Sequence, residues 1–528
     1  MQWDKDDLDA LGLIKVDILA LGILSALRRG LELVGAKLGH EFRMQDIPGK
    51  DKATFEMICK ADTVGTFQIE SRAQMSMLPR LRPTCYYDLV VEVAIVRPGP
   101  IEGGMVHPYL KNRLLDDDAI DYPKSLRPAL QRTKGVPIFQ EQVMQIAMIA
   151  ADFTPGEADG LRRAMAAWKR KGGLGHYHER LVGRMIQNGY ETEFAERIFK
   201  QIQGFGEYGF PESHAAGFAQ LAYVSCWIKC HHPDAFLAAL LNSQPMGFYQ
   251  PAQLVRDARS NGVEVQPVDV AVSACESTLE APATACVPLH AVRLGFDRIG
   301  GLSAAAAARI VAARAQAPFT TAEDLARRAL LDARELQALA RADALKGLAG
   351  HRFEAAWAVA GIDTRPTPML RETRVHETPI VLPAPAEAES LLADYRSLGL
   401  TLQRHPLALL REELKRFKVQ PAAVLNGYPN GRLARASGLV THRQRPGTAK
   451  GTMFVTLEDD TGVVNAIVWS SVVDSQRKPL LAARLLTLFG RWQCQGEGEH
   501  VVRHLVVMKA IDHTELLGGL VSRSRDFR

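Results

Sequence analysis

Cysteine is scarce, with seven in 528 residues. That is too thin a spread for a disulfide framework and leads us to expect a reducing, cytoplasmic setting. No stretch approaches the roughly 18 uninterrupted apolar residues of a membrane span, so no membrane partner is expected. The opening Met1-Gln2-Trp3-Asp4-Lys5 has neither a basic stretch nor an apolar core, which argues against a signal peptide. Aromatic residues are only 7% of the chain. Charge of one sign is not in large excess: 64 Lys and Arg face 59 Asp and Glu, a net of +5. Such a balance permits a polyanionic partner without demanding one. What is present is ordinary globular material, 47% hydrophobic and 23% charged, which excludes a mostly disordered chain. The length corresponds to roughly three or four domains.

Periodicity divides the chain. Residues Leu13–Leu19 read as a strand. The following Ile23, Leu24, Leu27, Leu31 and Val34 fall on one helical face that ends at Gly35. One strand and one helix cannot close a core, so both should pack on other parts of the protein. From about Asp51 to Asp234 the pattern is helical, interrupted by Pro and Gly loops. Short strands and turns follow over 261–296. Two Ala-rich helical passes occupy 297–361, and the Pro-bearing 364–385 reads as a linker. From Leu433 to about Ile511 the period changes from 3.6 to 2, with a turn at Asp460-Thr461-Gly462. Several short strands with one helix among them predict a small antiparallel barrel.

Two stretches concentrate positive charge. Gly160–His178 holds five Lys or Arg and no acid, including Arg162 and Arg163; Gly431–Thr456 holds Arg432, Arg435, Arg443, Arg445 and Lys450, again without an acid. A basic run is commonly a solvated helix face. Two such runs on one chain point instead to a polyanion track, because planar guanidinium groups bind phosphate oxygens in pairs. Arg97 precedes the rigid Pro98-Gly99-Pro100 turn. Ser213 reads as an N-cap that places His214 near a helix N-terminus, where it can donate to a phosphate. Gly300-Gly301 before a helix lets backbone N–H groups approach a DNA phosphate. Phe454, Trp469, Phe489 and Trp492 are stacking candidates in the barrel, with core packing the expected role for most of them. Asp17, mid-strand beside Lys15, reads as an ion-pair partner or as a carboxylate ligand for Mg²⁺. Cys226, Cys230, His231 and His232 share a helix but lack a second ligand pair, and are not read as a metal site.

Taken in order, Leu13–Gly22, Thr66-Phe67-Gln68-Ile69-Glu70-Ser71-Arg72, Arg97-Pro98-Gly99-Pro100, Leu161–Met165 and Tyr208–Ala216 resemble the bacterial C-family DNA polymerases. These are the catalytic chains similar to the polymerase III α subunit. The resemblance implies a multidomain α+β chain. Its expected parts are a palm remnant (1–45), mostly helical fingers (46–235), a connecting segment with short strands (236–296) and a tandem helix-hairpin-helix domain (297–361). A linker with helices (362–430), an OB-type β-barrel (431–515) and a tail (516–528) complete it.

The resemblance also implies that Asp17 is one of three metal-binding aspartates serving two Mg²⁺ ions. It places Arg97, Arg162, Arg163 and His214 around the incoming nucleotide. The phosphoesterase domain, the thumb and most of the palm, with the other two aspartates, are expected to lie outside this sequence. The ending Ser522–Arg528 resembles the error-prone branch, which implies damage-induced mutagenesis and translesion synthesis on template-primer DNA with dNTPs. Expected partners are accessory mutagenesis proteins and, indirectly, the sliding clamp. The isolated chain is expected not to extend a primer. The rival expectation is a non-catalytic DNA-binding polypeptide working through hairpins and barrel.

Overall fold

The computed structural model describes residues 11–12, 21–97, 100–101, 104–171, 175–204, 210–282, 289–363, 381–446, 449, 451–496, 501–520 and 524–527. The expected strand at 13–19, with Asp17, lies outside them, as do Lys450 and the glycine loops at 172–173 and 205–209.

Helix α1 (Leu21–Leu38) buries Ile23, Leu27 and Val34. Two features of it differ from the sequence expectation. Leu24 is exposed. The helix also continues past Gly35, because that glycine serves a close approach: a Cβ there would meet the His40 carbonyl oxygen at 2.8 Å. Helices α2 (Lys52–Cys59), α3 (Arg72–Leu81), α4 (Tyr86–Ile95) and α5 (Val106–Arg113) follow. Then come α6 (Gln140–Ala151), α7 (Pro155–Lys171), α8 (Gly175–Gln187) and α9 (Thr192–Gly204). The long α10 (Glu212–His231) runs into α11 (Pro233–Asn242), and α12 (Pro251–Ser260) closes the series.

Helix α10 is the axis of this region. It buries Ala215, Ala219 and Ala222, small side chains that let α2, α4 and α11 pack closely around it. Helix α1 packs on α11, which is how its apolar face finds a core. That junction carries a buried ion pair, Lys37 Nζ to Asp234 Oδ2 at 2.6 Å, with side chains 8% and 0% exposed. Asp234 also accepts the His290 amide at 2.7 Å, so no buried charge is left unmatched there. Lys229, equally buried, lies between Asp62 (2.7 Å) and Asp257 (2.8 Å).

Beyond α12 a three-stranded sheet runs in the order β1 (Val265–Gln266), β3 (Ala291–Arg293), β2 (Thr278–Glu280). The Ala-rich passes are α13 (Ala304–Gln316), α14 (Ala322–Arg328), α15 (Ala333–Arg341) and α16 (Arg352–Ala360). Each of the first three starts on a capping side chain. Ser303 accepts from Ala306 N and Thr321 from Asp324 N, while Asp332 and Glu335 form a reciprocal box, the device that satisfies the otherwise orphaned first-turn donors. Helices α17 (Glu387–Ser397) and α18 (Pro406–Lys415) lead to the barrel.

The barrel strands are β4 (Leu433–Gln444), β5 (Met453–Glu458), β6 (Val463–Val468), β7 (Leu485–Gln495) and β8 (Val502–Asp512). Their order β5-β6-β8-β7-β4, with β4 pairing back to β5, closes a five-stranded ring consistent with an OB-type fold. Strands β6 and β8 are parallel, and β9 (Arg525–Phe527) adds to the end of β4. Two short helices, Ser470–Ser475 and Arg477–Ala482, stand where one was expected. The predicted turn is held by Asp459, whose Oδ1 accepts from Thr461 N, Thr461 Oγ1 and Gly462 N at 2.7–2.9 Å. Inward Val455, Leu457, Val464, Ala466 and Trp492 form a core separate from the helical one. Among the described residues no helix is long and apolar enough to cross a membrane.

Candidate nucleotide and nucleic-acid interface

The end of α4 and the start of α10 meet at one aromatic ring. The Arg97 guanidinium lies over the Phe210 ring, 3.7 Å from its centroid, and Arg97 Nε donates to the Val93 carbonyl at 3.0 Å. His214 meets the same ring edge-on at 5.0 Å and leans on Phe218 at 4.3 Å. Phe210 is buried and His214 exposed, so the ring is a fixed platform between a guanidinium and an accessible imidazole. The sequence paired these residues only through the family resemblance; the structure brings them into contact. Ser213 is not the cap. Helix α10 starts at Glu212 with Pro211 as N-cap residue, which puts Ser213 inside the first turn. Glu212 N donates to Glu141 Oε2 at 3.1 Å. The Glu212 carboxylate takes Arg132 at 2.9 Å and the Tyr87 hydroxyl at 2.6 Å. Sequence reading missed this anchoring network, since its members are scattered over 125 residues and none sits in a recognisable spacing.

Arg162 and Arg163, one turn apart from Asp159 on α7, share that carboxylate at 2.8 and 3.1 Å. The hydrogen bond from Arg162 holds the Asp159 carboxyl below its ordinary range. They form a second group. Helix α7 packs on α6, and the first residue of α6, Gln140, donates its amide to the Phe210 carbonyl at 3.4 Å. The two groups thus belong to one helical framework. An arginine paired with a neighbouring surface Asp can exchange it for a phosphate.

In the hairpin region Gly301 has φ +88°, a left-handed conformation suited to glycine, and is exposed. Gly300 needs correction: its amide donates to the Ser397 carbonyl at 2.7 Å, so it is committed within the protein. In the barrel, Arg432 stacks over Tyr428 (3.9 Å) and Arg435 over Phe489 (5.1 Å). Both arginines are exposed, as is Arg445. Arg443 also needs correction as a DNA-binding residue. It is buried, its Nε donates to the Leu480 carbonyl at 2.7 Å, and its other nitrogens reach Ala483 and Ser524. It ties β4 to the short helix and the tail, because the bulge between Val440 and His442 reverses which side chains point inward. Of the stacking candidates, Trp492 is core and Trp469 is exposed.

Magnesium demands an oxygen shell of carboxylates and water. Among the described residues the one grouping of metal-type side chains is Asp51, Cys230 and His231. That mixed set does not fit Mg²⁺, and its Asp51 already caps α2 and accepts from His231 Nε2 at 2.8 Å.

Residues 23–189 match the bacterial DNA polymerase III alpha subunit finger domain, and residues 262–355 match a helix-hairpin-helix motif. Over its whole length the sequence is 59% identical to the error-prone DNA polymerase of Bordetella bronchiseptica. Identity is 57% to that of Burkholderia mallei and 55% to that of Ralstonia nicotianae. Over its whole length the chain is thus similar to error-prone DNA polymerases, and two of its segments to a polymerase III finger domain and a helix-hairpin-helix motif. It spans about half the length of the curated relatives it matches, 50% of each of these three. The Arg97–Phe210–His214 platform joins a residue inside the matched finger region to two beyond its end.

Proposed function

We propose that the protein takes part in DNA-templated transfer of nucleotides to a primer 3′-hydroxyl, as an error-prone polymerase in translesion synthesis. The observation that carries the proposal is the Arg97–Phe210–His214 platform beside a finger-domain match. The guanidinium and the exposed imidazole offer donors to a triphosphate on a rigid apolar base, and binding of that kind positions the reacting phosphate. Arg162 and Arg163 exchange Asp159 for phosphate oxygens when nucleotide or template-primer arrives. The hairpin region around Gly301 and the exposed Arg432, Arg435 and Arg445 of the barrel hold DNA backbone. Asp17 contributes to the Mg²⁺ requirement of the complete protein. Accessory mutagenesis proteins, and indirectly the sliding clamp, complete the proposed partners in the cytoplasm.

The test is steady-state incorporation by the full-length protein with Arg97→Ala, His214→Ala and Arg163→Ala. Each should raise KM for dNTP, the arginines by about tenfold to a hundredfold, as expected for a lost charge-assisted hydrogen bond of roughly 1.5–3 kcal/mol. Changes below twofold in all three would refute the assignment.

A further inference from the structure

An OB-type barrel carries oligonucleotides on the outward face of its second and third strands, here β5 and β6. The inward Val455, Leu457, Val464 and Ala466 belong to the barrel core, which leaves Thr456, Glu458 and Asn465 facing outward. Yet Thr456 is only 7% exposed. The face is covered by the chain's own helical region. Arg72 of α3 bonds Asn465, and Arg80 of the same helix donates to Gln495 Oε1 at 2.6 Å. Arg256 of α12 pairs with Glu458 at 2.9 Å. His442 stacks on Phe248 with centroids 4.3 Å apart and 11° between planes, and its Nε2 donates to the Phe248 carbonyl at 3.1 Å.

The acids near the seam are engaged elsewhere: Glu458 takes Arg256 at 2.9 Å, and the buried Glu70 accepts from the Phe248 backbone. Arg72 and Arg80 are bonded to neutral amide oxygens, and one Arg72 nitrogen is buried with no hydrogen-bond partner. Burial pushes the Arg72 guanidinium down to about 9. Burial, with the Arg72 charge behind it, pushes the imidazole of His504 on β8 down to about 4. Two guanidinium groups held against amides, beside Phe248 and the strand face such barrels use, have the composition of a phosphodiester site closed on itself.

We propose that the seam between α3 and the β5–β6 face is a clamp for single-stranded DNA, in which the strand's phosphates displace Asn465 and Gln495 as partners of Arg72 and Arg80. This rests on the reading that the chain binds DNA through its barrel. In the closed state the face is unavailable, so binding requires the barrel to part from α3. The two arginines then change from holding the seam to holding the strand.

The test is fluorescence anisotropy of the full 528-residue chain with a labelled oligo(dT) at several salt concentrations, for the wild type, Arg80→Gln and Arg72→Gln/Arg80→Gln. Each phosphate contact contributes about 0.7 to the slope of log affinity against log salt on single strands. The expected slope falls by about 0.7 in Arg80→Gln and about 1.4 in the double variant, with affinity about tenfold weaker per arginine removed. Arg80 is exposed, so its variant keeps the test valid should the double variant fail to fold. Conversely, Asn465→Asp/Gln495→Glu gives the arginines carboxylate partners and strengthens closure. Its penalty on binding should largely vanish when Arg72 and Arg80 are glutamine, as a double-mutant cycle reads. A wild type that binds with slopes unchanged in the arginine variants, or an additive cycle, would overturn the clamp. A wild type that does not bind oligo(dT) at all would overturn the DNA-binding reading beneath it.

Discussion

Acidification should loosen the barrel through two histidines. His442 and His504 are both held down to about 4, chiefly by burial. Arg72 faces both, Arg80 faces His504 and Arg525 faces His442, while the hydrogen bond to the Phe248 carbonyl and, less strongly, Glu458 favour the charged form of His442. Because the folded value lies below the unfolded 6.5, the stabilisation is fully present above pH 6.5 and is lost as pH falls toward 4. At about pH 5 an unfolded imidazole is almost wholly protonated and a folded one hardly at all. With about 1.4 kcal/mol per pKa unit, each histidine then costs about 2 kcal/mol, or roughly thirtyfold in the opening equilibrium. Hydrogen-exchange mass spectrometry on peptides covering β4 and β8, corrected for intrinsic rates, reads that opening directly. Between about pH 8 and pH 5, protection should fall by roughly thirtyfold if one histidine is released and by several hundredfold if both are. In His442→Gln/His504→Gln the decline should be far shallower. Equal loss of protection in wild type and variant would refute the reasoning, since the titrating groups would then lie elsewhere.

Other consequences are independent of the seam. Glu92 on α4 is fully buried with neither carboxylate oxygen partnered, and burial raises its carboxyl well above 4.5. Stability is therefore complete below pH 4.5 and falls as pH rises, so Glu92→Gln should gain on the wild type by up to about 1.4 kcal/mol per pH unit in thermal unfolding. Arg443→Ala should destabilise the barrel by roughly 2–4 kcal/mol, because two buried carbonyls lose their donor. Arg443→Lys should not rescue it, since one ammonium cannot copy the fork. Arg432→Ala and Arg435→Ala should leave barrel stability within about 0.5 kcal/mol of wild type and lower the salt slope of oligo(dT) binding.

The elements that sequence made legible are those whose signal is local. The change of period at Leu433, the Asp459–Gly462 turn and the apolar stripe of α1 each depend on neighbours within a few positions. What stayed hidden depends on long-range contact. Gly35 reads as a stop signal until the chain at His40 is seen pressing on it. Arg443 reads as one more exposed cation until the bulge after Val440 turns it inward. The seam partners of Arg72 and Arg80 lie about 400 residues away in sequence, and no spacing rule connects them. The Arg97–Phe210–His214 platform falls between these cases: its motifs were visible, but their meeting at one ring was not.

Primer extension by the full-length protein is the most direct measure of the central claim. The account predicts Mg²⁺-dependent incorporation that Asp17→Asn abolishes while template-primer affinity stays within about twofold, because a metal-ligand carboxylate serves chemistry more than grip. Undiminished turnover in Asp17→Asn, or full-length protein that binds template-primer yet never extends it, would contradict the account.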